Sequence, residues 1–172
     1  MMYVLLIVGI SLVLGPIYWL RPSPRDQRIA AMRLAARSHH LQIELIHLDK
    51  DPIYAALALR NPQWPKDGWV RYRLFPSDQS RGPSEAAAWR QRRDKSGLLV
   101  WDEEPYGITP HGVAQTLLAH WAETQDARFM ALEIGQRSVA IVWNEEAWTE
   151  KSNITMVEQV AKWLADLLAE NQ

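Results

Sequence analysis

The pattern of apolar and polar positions divides the chain into one continuous apolar stretch and a long remainder in which the two kinds alternate. Residues 1–20 contain no charged side chain, and charge begins abruptly at Arg21. Twenty helical residues extend about 30 Å, which is the hydrocarbon thickness of a bilayer. The stretch lacks the basic start and small-residue cleavage site of a signal peptide, and the polar stripe of a core helix. We therefore predict an uncleaved transmembrane anchor over residues 1–20.

Basic residues follow this apolar stretch directly. Five arginines lie between residues 21 and 37, against the single acidic residue Asp26. Positive charge close to a membrane segment stays on the cytoplasmic side. We expect a single-pass inner-membrane protein with its N-terminus outside and residues 21–172 in the cytoplasm. The predicted membrane-interface residues are Tyr18, Trp19, Arg21, Arg25 and Arg28.

A helix is predicted immediately after the anchor. Ser23 is a suitable N-cap, Pro24 fits the first helical position, and Asp26 completes a capping box. We expect this helix to end near Ser38 and treat residues 21–40 as a basic juxtamembrane helix. Its apolar face is thin and rich in alanine, so three placements stay open: on anionic lipid headgroups, on the following domain, or as a projecting stalk.

Residues 41–172 are long enough for one globular domain, and their alternation predicts an α+β fold. The pattern favours one mainly antiparallel sheet of about six strands, with two or three helices on one face. Strands are predicted at residues 41–45, 54–60, 69–75, 97–101, 128–134 and 137–143, the first three as an antiparallel meander. Helices are predicted from Thr109 and from Ser152 or Asn153, and a short one at 84–95. That short helix lies in an irregular segment, 76–96, which is either a mobile insertion or a site.

Composition excludes several kinds of chemistry. The chain has no cysteine, which rules out disulfides, cysteine-ligated zinc and a thiol nucleophile. Phosphate-loop, dinucleotide, serine-nucleophile and zinc-protease signatures are absent, so no cofactor is indicated. Residues 101–172 carry a net charge of −8 and the basic part has no nucleic-acid motif, so nucleic acid is not an expected partner.

One set of residues nevertheless allows an enzyme. His111 and His120 have side chains suited to acid–base chemistry near neutral pH, and the run Asp102–Glu104 supplies carboxylates. Consecutive acids on an extended segment point to opposite sides, so at most two of them converge. A membrane-anchored hydrolase or metal-dependent enzyme using these residues is our alternative hypothesis.

Tryptophan is the least ordinary part of the composition, with nine residues in 172. Several indoles lie among polar residues in predicted loops or at element ends, beside arginines. Tryptophan and arginine are enriched at interaction hot spots. We predict one membrane-near surface for an acidic partner or anionic lipid, unless these indoles merely pin their loops. The predicted interaction residues are Trp64, Trp69, Arg71, Arg73, Trp89, Arg90 and Arg93.

These patterns favour a membrane-tethered, non-catalytic interaction or assembly factor. In layout, an outward-started anchor followed by a cytoplasmic α+β domain resembles small accessory subunits of inner-membrane complexes, although no residue carries over from them. The expected partners are the lipid bilayer and another membrane protein or complex. The pattern leaves the oligomeric state open.

Overall fold

The computed structural model describes residues 22–76, 86–104, 109–135, 137–147 and 153–171. The predicted anchor, with Tyr18, Trp19 and Arg21, lies outside these residues. Within them, no helix combines the length and the apolarity needed to cross a bilayer. The helices are α1 (Pro24–Ser38), α2 (Pro52–Arg60), α3 (Gly112–Glu123) and α4 (Asn153–Glu170). The strands are β1 (Gln42–Leu45), β2 (Trp69–Leu74), β3 (Ala87–Arg93), β4 (Leu99–Glu104), β5 (Phe129–Gly135) and β6 (Ser138–Asn144).

The α+β fold is confirmed, with six strands and four helices in the described residues. The strands form one sheet in the order β1-β2-β6-β5-β3-β4, and every neighbouring pair is antiparallel. The predicted hairpin is β5–β6, in which Gly135 lies opposite Ser138. A short 3-10 turn, Glu145–Ala147, follows β6.

The prediction of a strand at residues 54–60 is wrong, because these residues form helix α2. Asp51 is its N-cap and accepts a hydrogen bond from the Ile53 backbone N–H at 2.9 Å, and Pro52 begins the helix. Tyr54 and Leu57 are the buried positions, one helical turn apart. The three-stranded meander is therefore wrong as well, since β1 pairs with β2 directly.

The prediction of a short helix at residues 84–95 is also wrong, because Ala87–Arg93 is strand β3. Trp89 and Gln91 are both buried on one side of the strand, as the two-residue period of a strand requires. β3 lies between β5 and β4 within the sheet. Residues 77–85 of the predicted insertion lie outside the described residues.

The capping box predicted for α1 is confirmed. The Ser23 hydroxyl accepts from the Asp26 backbone N–H at 3.1 Å, and Asp26 accepts from the Ser23 backbone N–H at 3.2 Å. The hydrogen bonds from Ser23 lower the pKa of Asp26. α1 packs against α4 and buries Met32 and Ala36 almost completely. Of the three open placements, the structure adopts packing on the domain.

Two hydrophobic cores lie on opposite faces of the sheet. The first and larger core joins the sheet to α1, α3 and α4, so three helices share one face. The second core lies under α2, which contributes Tyr54 and Leu57 against β2, β5 and β6. Val70 and Tyr72 of β2 face the first core, whereas Trp69 faces the second.

A side chain at the end of α4 caps the N-terminus of α3. The Glu170 carboxylate at the end of α4 accepts a hydrogen bond from the Val113 backbone N–H at 2.8 Å. It occupies the space that a side chain at Gly112 would need, and Gly112 has a positive φ of 53°. An acidic group at a helix N-terminus is favoured by the helix dipole.

Candidate interaction site

The tryptophans of the predicted interaction surface are buried, so the expectation that they are exposed is wrong. Trp64 and Trp69 are 6% and 1% exposed and lie in the second core. Trp89 is 2% exposed and lies in the first core, on the opposite face of the sheet. The structure does not bring the three indoles to one surface.

The loop before β2 buries two of these rings by folding under α2. The indole N–H of Trp69 donates to the Pro65 carbonyl at 2.7 Å, and its ring lies 5.4 Å from that of Trp64. The loop therefore closes the second core with its own aromatic residues. This matches the alternative reading of the sequence, in which tryptophans hold their loops in place.

Three of the predicted arginines do share a sheet face. By cross-strand register, Arg71 on β2 and Arg90 on β3 belong to one row, with Val142 and Ala131 between them. Three strand spacings separate the two arginines, about 14 Å. Arg73 lies on the same face, two residues along from Arg71. Arg93 alternates to the other side and donates to the Gly97 carbonyl at 2.6 Å, closing the β3–β4 turn.

Arg71 is the centre of a polar network between the sheet and α2. It pairs with Glu133 at 2.9 Å and with Glu44 at 2.7 Å, and donates to the Tyr54 hydroxyl at 3.0 Å. Burial alone would lower the pKa of Arg71, but the charges and hydrogen bonds of Glu133, Tyr54 and Glu44 together outweigh it, so this pKa is raised. Burial and the same carboxylate raise the pKa of Tyr54. These contacts attach α2 to the sheet.

The side chains of the enzyme hypothesis that the structure describes, those of His111, His120 and Asp102, do not form a cluster. His111 is the N-cap of α3 and His120 is in its last turn, a separation of about 14 Å along the helix. Asp102 lies on β4 and forms an ion pair with Arg92 of the neighbouring strand. In the described part of the chain, no three histidine or acidic side chains converge as a metal site would require.

A second polar cluster fixes α1 to the end of β6, and we call it the latch. Arg33 on α1 donates to the Glu145 carboxylate through Nη2 at 2.7 Å and Nε at 3.0 Å. The Tyr72 hydroxyl donates to the other oxygen of Glu145 at 2.7 Å. Arg25, one of the predicted membrane-interface residues, pairs with Glu146.

The latch is buried at its centre and exposed at its margin. The side chain of Glu145 is 1% exposed, whereas that of Arg25 is 56% exposed. The hydrogen bond that Arg33 donates to the Glu145 carboxylate raises the pKa of Arg33. Burial, followed by the charge of Glu145, raises the pKa of Tyr72. At neutral pH these effects favour a charged Arg33 and a neutral Tyr72 donor.

A groove of about 1020 Å³ lies at the C-terminal end of α1. The end of β2, the start of β1 and the middle of α4 form its walls. Leu74, Phe75 and Ala161 contribute apolar surface, and Phe75 is 40% exposed. The groove lies on the first face of the sheet, beside α4, and does not involve the predicted tryptophans.

Charged side chains surround this apolar surface. Arg137 and Lys162 line the groove together with the single acidic residue Glu158. None of the three forms an ion pair with another described residue. Two histidines, His39 and His40, lie on its rim at the end of α1. An open concavity with an apolar floor and basic walls can bind a ligand that carries both apolar and acidic groups.

Sequence reasoning missed this groove. Arg137 and Lys162 are 25 positions apart in different elements, and no local pattern connects them. The pairing of β2 with β6 brings the end of β2 next to the start of β6, since Leu74 lies opposite Val139. The one available signal was Phe75, an aromatic residue directly after the last residue of β2.

Comparisons with known proteins give no relative for this chain. No protein-family model, curated protein or solved structure matches it.

Proposed function

We propose that the protein is a membrane-tethered, non-catalytic interaction or assembly factor, an accessory subunit of an inner-membrane complex. Its α+β domain is held on the cytoplasmic side by the apolar stretch 1–20. The proposal is supported by the charge-free length of that stretch and by the five arginines that follow it.

The observation that carries the proposal is the docking of α1 on the domain. Ser23 is the N-cap of α1, so the predicted anchor ends only three residues before the helix begins. Met32 lies in the first core and Arg33 is fixed by the latch. A domain joined so closely to its anchor has a restricted position, which suits a subunit that meets a partner in the same membrane.

Topology and partnership are tested on the full-length chain. A reporter that is active only after export, fused after Gln172, should give no activity, whereas the same reporter fused before Met1 should be active. Mild-detergent purification should recover a membrane protein at a constant stoichiometry. Activity of the C-terminal fusion contradicts the orientation, and purification of the protein alone from native membranes contradicts the accessory role.

A further inference from the structure

We propose that the groove beside α4 binds an acidic segment, bearing apolar side chains, of a protein partner in the same membrane. This inference rests on the proposed function and names the chemistry of the partner. The groove is defined by Leu74, Phe75, Arg137, Ala161 and Lys162, with His40 on its rim.

The apolar part of the groove requires an apolar ligand group. Phe75 is 40% exposed although it directly follows a strand in which Val70 and Tyr72 are fully buried. Leu74, on the same side, is only partly buried. Covering such surface with a partner's apolar side chain removes it from water, which favours association.

The charges of the groove select acidic groups. Several arginines of the domain form ion pairs with its own carboxylates, namely Arg25, Arg33, Arg71, Arg92 and Arg128. Arg137 and Lys162 form none with the described residues, although both line one concave surface. Glu158, four residues before Lys162 on α4, is the single acid of the groove. Complementary charge gives specificity and a faster association to a partner that presents carboxylates.

The position of the groove favours a protein segment over lipid headgroups. α1 has 15 residues and is therefore about 22 Å long. Its N-terminus, at Ser23, lies next to the predicted anchor, and the groove lies at its C-terminus, beyond Ser38. A segment reaching this end comes from the cytoplasmic part of a neighbouring protein, which the proposed function supplies.

His40 provides a variant that separates binding from folding. It has a φ of 58°, in the left-handed region where glycine is favoured. The backbone around it closes α1, with the Leu41 N–H donating to the Ala36 carbonyl at 3.0 Å. Replacing His40 by glycine keeps that backbone and removes the imidazole from the rim.

The test uses the full-length protein in nanodiscs of neutral lipid. The probe is a fluorescent peptide of about three helical turns, with leucine and glutamate spaced to form one apolar and one acidic face. The control peptide has lysine in place of every glutamate. We expect the acidic peptide to bind and its affinity to fall as salt is raised.

Groove variants are compared with a matched surface variant. R137E combined with K162E should weaken binding of the acidic peptide by at least about tenfold, because two attractions become repulsions. His40→Gly should weaken it with no loss of thermal stability. Lys95→Glu, an exposed charge reversal in the β3–β4 turn, should leave the affinity unchanged.

Several results would overturn the proposal. These are equal affinity for the lysine peptide, unchanged affinity in the R137E and K162E double variant, or a dimer that depends on Arg137. Loss of peptide binding when anionic lipid replaces neutral lipid would instead assign the groove to headgroups. Membrane retention and C-terminal topology are measured separately, in cells that express the same variants. If both hold while the peptide does not bind, the groove proposal fails and the proposed tethering stands.

Discussion

The latch holds α1 at Arg25 and Arg33, whereas the groove lies at the C-terminal end of this helix, and the two use charge in opposite ways. In the latch, Arg33 meets a carboxylate that is 1% exposed, and the Tyr72 hydroxyl satisfies that carboxylate further. In the groove, Arg137 and Lys162 lie beside exposed apolar surface without an ion pair to another described residue. Buried and satisfied charge holds the domain together, whereas the groove charges are available to a partner.

The difference has an energetic consequence. Removing one member of a buried ion pair leaves its partner desolvated and uncompensated, which is strongly destabilising. Removing a solvated cation changes folding little but removes an attraction at a binding surface. Substitutions at the latch should therefore act on stability, and substitutions at the groove on association.

The largest effect is expected from truncation, because α1 connects the two regions. A chain that begins at Pro22 keeps Met32, Ala36 and the latch and should unfold cooperatively. A chain that begins at Leu41 loses them, at a cost of about 5 kcal/mol from the buried methionine and the broken latch. That is comparable with the whole stability of a small domain. Circular dichroism during urea unfolding gives the midpoint of each chain. Equal midpoints would contradict the contribution of α1 to stability.

Within the latch, Glu145→Ala should lower the free energy of unfolding by about 2–4 kcal/mol. It leaves the Tyr72 hydroxyl buried without its acceptor and Arg33 without its carboxylate. Glu146→Ala, the neighbouring change, removes the more exposed pair with Arg25 and should cost much less than Glu145→Ala, because solvent screens an exposed pair. Urea unfolding of the two variants compares them directly, and similar losses would show that burial does not distinguish the pairs.

Alkaline pH should lower the free energy of unfolding through two buried tyrosines, Tyr72 of the latch and Tyr54 of α2. The pKa values of Tyr72 and Tyr54 are raised in the folded protein above the usual value of 10. Their contribution is fully present below about pH 10, and is lost as pH rises further, because the unfolded chain releases protons that the folded chain keeps. Each tyrosine adds a slope of at most about 1.4 kcal/mol per pH unit. Tyr72→Phe should reduce the slope of unfolding free energy between pH 10 and 11, and an unchanged slope would argue against burial of this hydroxyl.

At the groove rim, His40→Gly should leave the free energy of unfolding unchanged or raise it by up to about 1 kcal/mol, because glycine adopts positive φ without strain. Gln125 provides the contrast, since its φ is 51° but its side chain accepts from the Leu99 N–H at 2.7 Å. Gln125→Gly should therefore destabilise the protein. Thermal unfolding ranks the two variants, and a clear loss for His40→Gly would assign that imidazole a structural role.

The smallest effect on folding is expected from the groove cations themselves. Arg137→Ala combined with Lys162→Ala should change the free energy of unfolding by no more than about 0.5 kcal/mol. Urea unfolding at low and high salt provides the measurement. A loss above about 1 kcal/mol would show that these cations stabilise the domain and would remove the contrast with the latch.

The sequence alone determined the elements whose signals are local. The capping residues Ser23, Pro24 and Asp26 predicted the start of α1, and the alternation of Val70 and Tyr72 predicted β2. Local patterns failed where they were short or ambiguous. The apolar residues at 54–60 fit both the two-residue period of a strand and the longer period of a helix. The helix start at Asp51 and Pro52 was the stronger signal there. In β3, arginines lie next to Trp89 and Gln91 along the chain, and they obscured the two-residue period of these buried positions.

Tertiary structure alone decided which polar groups are satisfied and where apolar surface stays open. Arg33 and Glu145 are 112 positions apart, and they meet because α1 packs beside the end of β6. Trp64 lies in a polar loop and Trp69 is the first residue of β2 after it, so polar neighbours along the chain surround two side chains that are buried in the second core. Caps and turns depend on residues a few positions apart, whereas burial and ion pairing depend on elements brought together by the sheet. That is why the sequence indicated an interaction surface at the tryptophans, and the fold places the open groove at Phe75, Arg137 and Lys162.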